Sequence, residues 1–288
     1  MAIAYIYLIA SAVLWGGVFH VIHYPLSVAP PFVLLTARFS LTALLLLPWL
    51  LIRHNYRLAL GRRNFYDLLF LSVVGICGYN TVFTYGMTLT EPATGALIIA
   101  ANPAMTTLIA RIWKKERISP VRWLGIATAF AGLTFIVFKG DLGNALQLRL
   151  APGNLVLLGA PFAWAVYSVK SREVLQRMPT TVVTAALILL SLPPQAALAA
   201  VQLDGWRWAV EPAFWWPVLY LGIFATGVSY LCWNKGVELI GAARSSVFVN
   251  LIPVTTLLVS LLLGQPLNTY HYIGGLIVVA GVILATRR

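Results

Sequence analysis

Few of the side chains in this sequence can do chemistry. Among 288 residues there are eight carboxylates, four histidines and two cysteines, set against 20 lysines and arginines. Acid–base, nucleophilic and metal chemistry all need such groups to converge. The eight acids (Asp67, Glu91, Glu116, Asp141, Glu173, Asp204, Glu211 and Glu238) are instead scattered at the ends of apolar runs or between them. Cys77 and Cys232 sit inside apolar runs and indicate no disulfide framework. His20 and His23 form an H-x-x-H on one helical face, but no Cys, Asp or Glu joins them in a ligand pattern. The reading is no metal, no cofactor and no catalytic residue. His20 and His23 are then cavity lining or satisfied polar contacts, with pH sensing open to them near neutrality.

The sharpest single residue is Arg38, alone inside the apolar stretch 31–52. It lies about two turns from the nearer end, too deep for comfortable snorkelling. A cation at that depth needs a partner. Two roles fit: a bidentate grip on a substrate carboxylate, or a structural pairing with Glu91 or unpaired helix carbonyls. Pro103 and Pro253 fall mid-run, where each removes a backbone hydrogen bond and frees a carbonyl. Asn102 precedes the first, and Asn250 lies about one turn before the second. The pair predicts helix kinks that act in gating and face a polar cavity; the alternative is Asn side chains that repair the helix locally or tie two helices together. Tyr79, Asn80 and Thr84, and likewise Thr226, Tyr230 and Asn234, make two further runs polar at mid-depth. Trp15, Trp164, Tyr167, Tyr79 and Tyr230 are central aromatics. They contrast with Trp49, Trp206, Trp208, Trp215 and Trp216, whose places at run ends suit headgroup level. As a group, central aromatics can wall an organic pocket; any one of them alone reads more simply as packing.

The elements that position these residues follow from the balance of the chain. It is 60% hydrophobic and 10% charged, where soluble domains are nearer 45–50% apolar and about 25% charged. That excludes a soluble domain and a nucleic-acid binder. Apolar runs at 3–24, 31–52, 66–88, 93–112, 120–138, 153–172, 180–201, 214–237, 241–263 and 269–286 predict an all-α polytopic membrane protein of ten transmembrane helices. The first run has no basic segment before it and no evident small-residue cleavage site, so it reads as a retained span. Alternate connections carry the cations: Arg53, Arg57, Arg62 and Arg63; Arg111, Lys114, Lys115, Arg117 and Arg122; Lys170, Arg172 and Arg177; Lys235 and Arg244; and the Arg287–Arg288 tail. The other side has Lys139, Arg149 and Arg207. By the positive-inside rule both termini are cytoplasmic. The formal net charge of +12 is thus an orientation signal.

The sequence also repeats. Pro103 and Pro253, like Gly86 and Gly236, are 150 apart; Trp15 and Trp164, Glu116 and Gln265, Gly125 and Gly274, and Gly132 and Gly281 are 149 apart. Two halves, 1–145 and 146–288, each carry five predicted helices, and an odd number inserts the second half upside down. An inverted five-plus-five repeat with breaks near mid-membrane is the plan of a secondary transporter, with its site between the halves. Gly125, Gly132, Gly274, Gly275 and Gly281 fall at helix-face spacing and predict close helix packing, since no strand–loop–helix context makes them a phosphate loop.

The segments AVLWGGVF, LLTARF, NPAMTTLIARIWKKERIS with the following GIATAFAG, and WAVYSVKSRE resemble the EamA-type drug/metabolite transporters, in order and over essentially the full chain. The chain is most similar to bacterial amino-acid exporters, including those for aromatic amino acids. The resemblance implies ten helices in two inverted halves, metabolite export and a bacterial inner-membrane location. Because the family motif includes Arg38 whatever the substrate, it favours the structural role for that residue. Arg38 has no charged counterpart in the second half, where Ala185, Ala186 and Leu187 stand.

The function read from these features is export of amino acids or related small metabolites by alternating access through a central cavity. Its partners are a small-molecule substrate and the bilayer, with the chain a monomer or weak oligomer. Candidate substrate-binding residues are Trp15, His20, Arg38, Tyr79, Asn80, Asn102, Trp164, Tyr167, Tyr230 and Asn250. No carboxylate lies at mid-depth, which argues against a carboxylate-driven proton pump and for downhill efflux or coupling through His20 or His23. The alternatives are a different metabolite class, an integral-membrane enzyme of lipid or headgroup metabolism (for which the scattered loop charges offer no constellation), and a receptor or assembly subunit.

Overall fold

The computed structural model describes residues 1–52, 56–89, 98–141, 143, 152–203 and 211–286. Every regular element among them is helical. In chain order these are α1 (Ala2–Val21), α2 (His23–Val28), α3 (Pro31–Ile52), α4 (Tyr56–Leu60), α5 (Arg62–Phe70), a π-helix (Leu71–Gly78) and α6 (Tyr79–Thr88). Then follow α7 (Asn102–Lys114), α8 (Pro120–Val137), α9 (Pro152–Leu175), α10 (Thr180–Ala200) and α11 (Pro212–Leu219). A second π-helix (Tyr220–Val228), α12 (Ser229–Ile240), α13 (Ala242–Ser245), a 3-10 helix (Ser246–Asn250), α14 (Leu251–Leu262) and α15 (Thr269–Thr286) complete the chain. Helices α3, α8, α9 and α11 all begin on proline, where the missing N–H would have had no intrahelical acceptor.

Eight continuous helical stretches are long and apolar enough to cross a bilayer: Ala2–Val21, Pro31–Ile52, Arg62–Gly86, Pro120–Val137, Thr180–Ala200, Pro212–Ile240, Ala242–Leu262 and Thr269–Thr286. Two expected spans fall outside that set. Helix α7 has 13 residues, and most of the expected segment before it lies outside the described residues. Helix α9 has 24 residues, but Asn154, Ser168 and Lys170 dilute its apolar stretch. Protein surrounds the inner part of α9, where Ala163, Trp164, Ala165, Val166, Tyr167, Ser168 and Val169 are all buried; a helix walled by protein need not be apolar all round.

Cross-contacts define two ends of the bundle. At one, which gathers Met1 and Thr286 and is called the terminal face below, Tyr5 lies against Phe248 and the backbone of Ala285 against Gly125. At the other, the backbone N–H of Phe32 donates to Gln202 Oε1 at 3.0 Å and the Tyr24 hydroxyl donates to Glu211 at 2.9 Å.

The prolines correct one expectation. Neither Pro103 nor Pro253 bends a continuous α-helix. Pro103 is the second residue of α7 and Pro253 the third of α14, and each helix starts afresh just before it, after a turn at Ala101 or the 3-10 segment. First-turn prolines leave no donor missing. The break in each run is a restart of the helix.

Four of the five small-residue positions pack as expected. A Cβ on Gly125 would come within 2.3 Å of Ala285 N, one on Gly281 within 2.4 Å of Ala129 N, and one on Gly132 within 2.8 Å of Gly274 O. Helices α8 and α15 therefore touch backbone to backbone. Gly275 is the exception, because a Cβ there meets nothing within 4 Å. Gly281→Val is expected to lower the thermal midpoint of the detergent-solubilised protein, by overpacking costing roughly 1–3 kcal/mol. Gly275→Ala should leave it unchanged or raise it through better helix propensity. Midpoints in the reverse order would contradict this packing.

Candidate functional site

The site is built around the two π-helical segments. They begin at Leu71 and Tyr220, 149 residues apart, the spacing of the sequence repeat. A π-turn bonds to the fifth residue instead of the fourth, which changes the register of its carbonyls. In the second segment two of them also accept from side chains of distant helices. Trp15 donates its indole N–H to Ala225 O at 3.0 Å, and Thr42 donates its hydroxyl to Gly222 O at 2.6 Å. Tyr220 in turn donates to Leu14 O at 2.8 Å. In the first segment, Ile76 O accepts from Asn80 Nδ2 at 2.7 Å.

These ties draw the central aromatics together. Trp164 on α9 is the hub, with ring centroids 5.6 Å from Trp15, 4.9 Å from Tyr79, 5.4 Å from Tyr167 and 6.1 Å from Tyr230. All five aromatics singled out in the sequence thus lie in one cluster. A sixth member, Trp233, has its centroid 5.2 Å from Trp164 and 5.6 Å from Trp15. Sequence reasoning missed it, although its position three residues after Tyr230 puts it on the same helix face. Trp15 and Tyr79 are half-buried, whereas Tyr230 is closed in and Tyr167 is fully so, its hydroxyl donating to Asn234 Oδ1 at 2.7 Å. Tyr167 is therefore packed inside the cluster, whereas Trp15 and Tyr79 lie at its more accessible side. The indole N–H groups of Trp164 and Trp233 are buried without an acceptor, which is unusual for tryptophan.

Arg38 stands at the edge of this cluster. Its Nη2 donates to Asn80 Oδ1 at 2.8 Å, its guanidinium carbon lies 5.0 Å from the Phe39 ring centroid, and its Nε is buried without a partner. The amide nitrogen of Asn80 lies 3.4 Å from the Tyr230 hydroxyl, so Arg38, Asn80 and Tyr230 form a polar line. The partner is a neutral amide, and part of the guanidinium fork stays free. Glu91, the acidic partner considered from sequence, lies outside the described residues, as do Asp204, Trp206, Trp208 and the side chain of His23. His20 does not join the cluster. Its Nε2 shares a hydrogen bond of 2.9 Å with Ser260 Oγ, between α1 and α14.

Asn102 and Asn250 belong to a second feature. Helix α7 packs along α9 and against the 3-10 segment. This seam contains Asn102, Thr106, Thr107, Ser168 and Asn250, none more than 1% exposed. Oδ1 of Asn102, the hydroxyls of Thr106, Thr107 and Ser168, and both amide atoms of Asn250 have no hydrogen-bond partner. Helical Ser and Thr usually bond back to the preceding turn, as Thr42, Ser72 and Ser245 do here. A buried polar group left unpaired costs about 1–3 kcal/mol. The seam thus closes in a form that its own chemistry disfavours, and the Asn250 side chain does not repair its helix.

Ion pairs hold the terminal face shut over this seam. Lys114 pairs with Glu173, Arg172 Nη1 donates to Glu116 at 2.9 Å, Lys170 lies 3.2 Å from Asp67, and Arg177 also pairs with Asp67. These contacts join α5, α7 and the segment after α7 to the end of α9. Burial, with Lys170 nearby, holds the Lys114 ammonium below the usual lysine range, opposed by Glu116. Among the described residues no group of acids, histidines and cysteines could hold a metal.

Thr106→Val keeps the shape and removes an unpartnered hydroxyl, so the thermal midpoint should stay or rise. Thr255→Val removes a hydroxyl that donates to Ala12 O at 2.9 Å and should cost about 1 kcal/mol. A Thr106→Val variant less stable than Thr255→Val would mean that the seam hydroxyl has a partner after all.

The comparisons with known proteins agree with this architecture. An uncharacterised transporter of Bacillus subtilis, YyaM, is 29% identical over 287 residues, covering 98% of this chain and 93% of that one. The aromatic amino acid exporter YddG of Ancylobacter novellus is 27% identical over 164 residues, 57% of this chain and 56% of the exporter. A crystal structure of a protein 22% identical superposes with a TM-score of 0.82 over 98% of this chain and 96% of its own, a likeness of fold. The sequence profile of the EamA-like transporter family matches twice, over residues 2–138 and 151–287, and with nearly the whole length accounted for, the chain belongs to that family of multi-pass membrane transporters.

Proposed function

We propose that this transporter exports amino acids and related small metabolites by alternating access between two inverted halves, 1–145 and 146–288, each of five helices. In this reading α7 and α9 complete a set of ten spans, and the terminal face is the cytoplasmic face of a bacterial inner membrane. The observation that carries it is the shared centre. Trp15 and Tyr79 from the first half meet Trp164, Tyr230 and Trp233 from the second, at the depth of the paired π-segments, with Arg38 linked to Tyr230 through Asn80. Site construction from equivalent breaks in two repeats is the general plan of secondary transporters. Amino-acid export draws support from the likeness to YddG and from a centre that offers aromatic walls beside a partly free guanidinium, suited to a carboxylate. Transport runs downhill or couples through His20 or His23. A metabolite of another class with an acidic group would use the same centre. An enzymatic reading has no supporting constellation among the described residues.

Counterflow of tritiated amino acids into proteoliposomes tests this. Uptake above empty liposomes is expected for at least one of the protein amino acids. Tyr79→Ala, at the more accessible side of the cluster, should cut it at least tenfold, the loss expected when about 1.4 kcal/mol of binding is removed, without loss of folded protein. Arg38→Lys should retain less than Arg38 because a lysine cannot reproduce the fork. No counterflow of any amino acid would overturn the proposed substrate class.

A further inference from the structure

The terminal face holds a feature that neither the family nor the central site explains. Beneath the ion pairs lies an open pocket of about 320 Å³, lined by Lys114, Glu116, Arg172 and Glu173, with Ala110 and Val169 toward the interior. Ala110 is one turn beyond Thr106 and Thr107 on α7, and Val169 adjoins Ser168 on α9. The pocket thus lies about one helical turn from the seam of unpartnered hydroxyls and amides. Arg172 is only half engaged: its Nη1 holds Glu116, while its Nε is buried with no acceptor. It also lies against Gly241, where a Cβ would come within 3.0 Å of the guanidinium, so no other residue fits there without displacing it.

We propose that this pocket is the loading site for an exported zwitterion, with Arg172 taking the carboxylate and Glu173 the ammonium. The inference rests on the amino-acid reading above. The carboxylate displaces Glu116 from Arg172, and the ammonium displaces Lys114 from Glu173. Both contacts that tie the end of α9 to α7 and to Glu116 are thereby exchanged for contacts to the ligand, so Arg172 and Glu173 keep a partner throughout, Glu173 through Lys170 as well. As α7 and α9 part, Thr106, Thr107, Ser168 and Asn250 gain the partners they lack when the seam is shut. Ligands with only one of the two charges release only one of the two ties.

Oriented proteoliposomes with the terminal face outward test this, using tritiated phenylalanine, leucine and threonine. Arg172→Gln and Glu173→Gln should each raise the half-saturation concentration at that face about tenfold, as expected for loss of one charge-assisted contact. Half-saturation at the opposite face should change by less than twofold. Glu116→Gln, which frees Arg172, should lower the terminal-face value. A mere latch behaves differently: weakening it from either side favours the open form, so Arg172→Gln and Glu116→Gln would both lower that value. Shifts in the same direction, or no shift, would overturn the loading site while leaving the transport function standing. Wild-type protein that moves none of the three amino acids would overturn the loading site together with the substrate class for these compounds. Circular dichroism and size-exclusion profiles matching wild type qualify each variant, and the Arg172→Lys variant, if folded, should fall between wild type and Arg172→Gln.

Discussion

The bundle depends on side-chain hydrogen bonds that distant helices make to carbonyls of the second π-helical segment. In hydrocarbon a polar group must find its partner within the protein, and each such donor draws its own helix against that segment. Ala225 O and Gly222 O accept from Trp15 and Thr42, and this fixes α1 and α3 against the segment between α11 and α12. The aromatic cluster follows from that constraint. Once Trp15 is anchored by its N–H, its ring faces Trp164, Tyr230 and Trp233, and Phe39, beside Arg38 on α3, meets Tyr230.

Two kinds of polar group then share the interior, with opposite energetics. The small polar side chains near the π-segments are saturated: Thr226, Ser229, Asn234 and Asn80 all have partners, unlike the indoles of Trp164 and Trp233 beside them. Those between α7 and α9 are not. In the first set, the bonds from Asn234 to Thr184 and from Arg38 to Asn80 cross between helices and are lost if those helices move apart. The second loses nothing when its helices separate and gains hydration. What opposes separation there is the set of ion pairs at the terminal face, together with apolar contact along α7 and α9. Partly exposed pairs of this kind contribute about 1 kcal/mol or less each, enough to bias a closed form and little enough to be undone by a charged ligand.

Much of this was legible in the sequence. Eight of the ten apolar runs coincide with long apolar helices, and the central aromatics read as a group meet in one cluster. The glycine spacing foretold close helix packing, which the contact of α8 with α15 supplies apart from Gly275, because periodicity gives a face but not which of two adjacent glycines is at its centre. Other features were hidden for physical reasons. A π-turn leaves the apolar pattern intact and changes only the hydrogen-bond register, so Leu71–Gly78 and Tyr220–Val228 read as ordinary helix. Whether a helical threonine bonds back to its own turn depends on a rotamer, so Thr106 and Thr42 look alike in sequence. Arg38 was found, but not its partner Asn80, since an amide 42 residues away leaves no charge pattern to follow. Tyr167 and Tyr79 differ only in what packs around them, and burial separated wall from core.

The backbone contact of α8 with α15 has a mechanical consequence. One helix comes from each of the two segments that match the family profile, and their glycines are so close that Gly132 sits within 2.9 Å of where a Cβ on Gly274 would be. Surfaces meeting at backbone distance cannot slide by a turn without collision, because the side chains flanking each glycine would strike the opposing helix. They can still rotate slightly about their line of contact. In the alternating-access cycle proposed above, helices α8 and α15 would be the line about which the two segments turn, with displacement growing with distance from it.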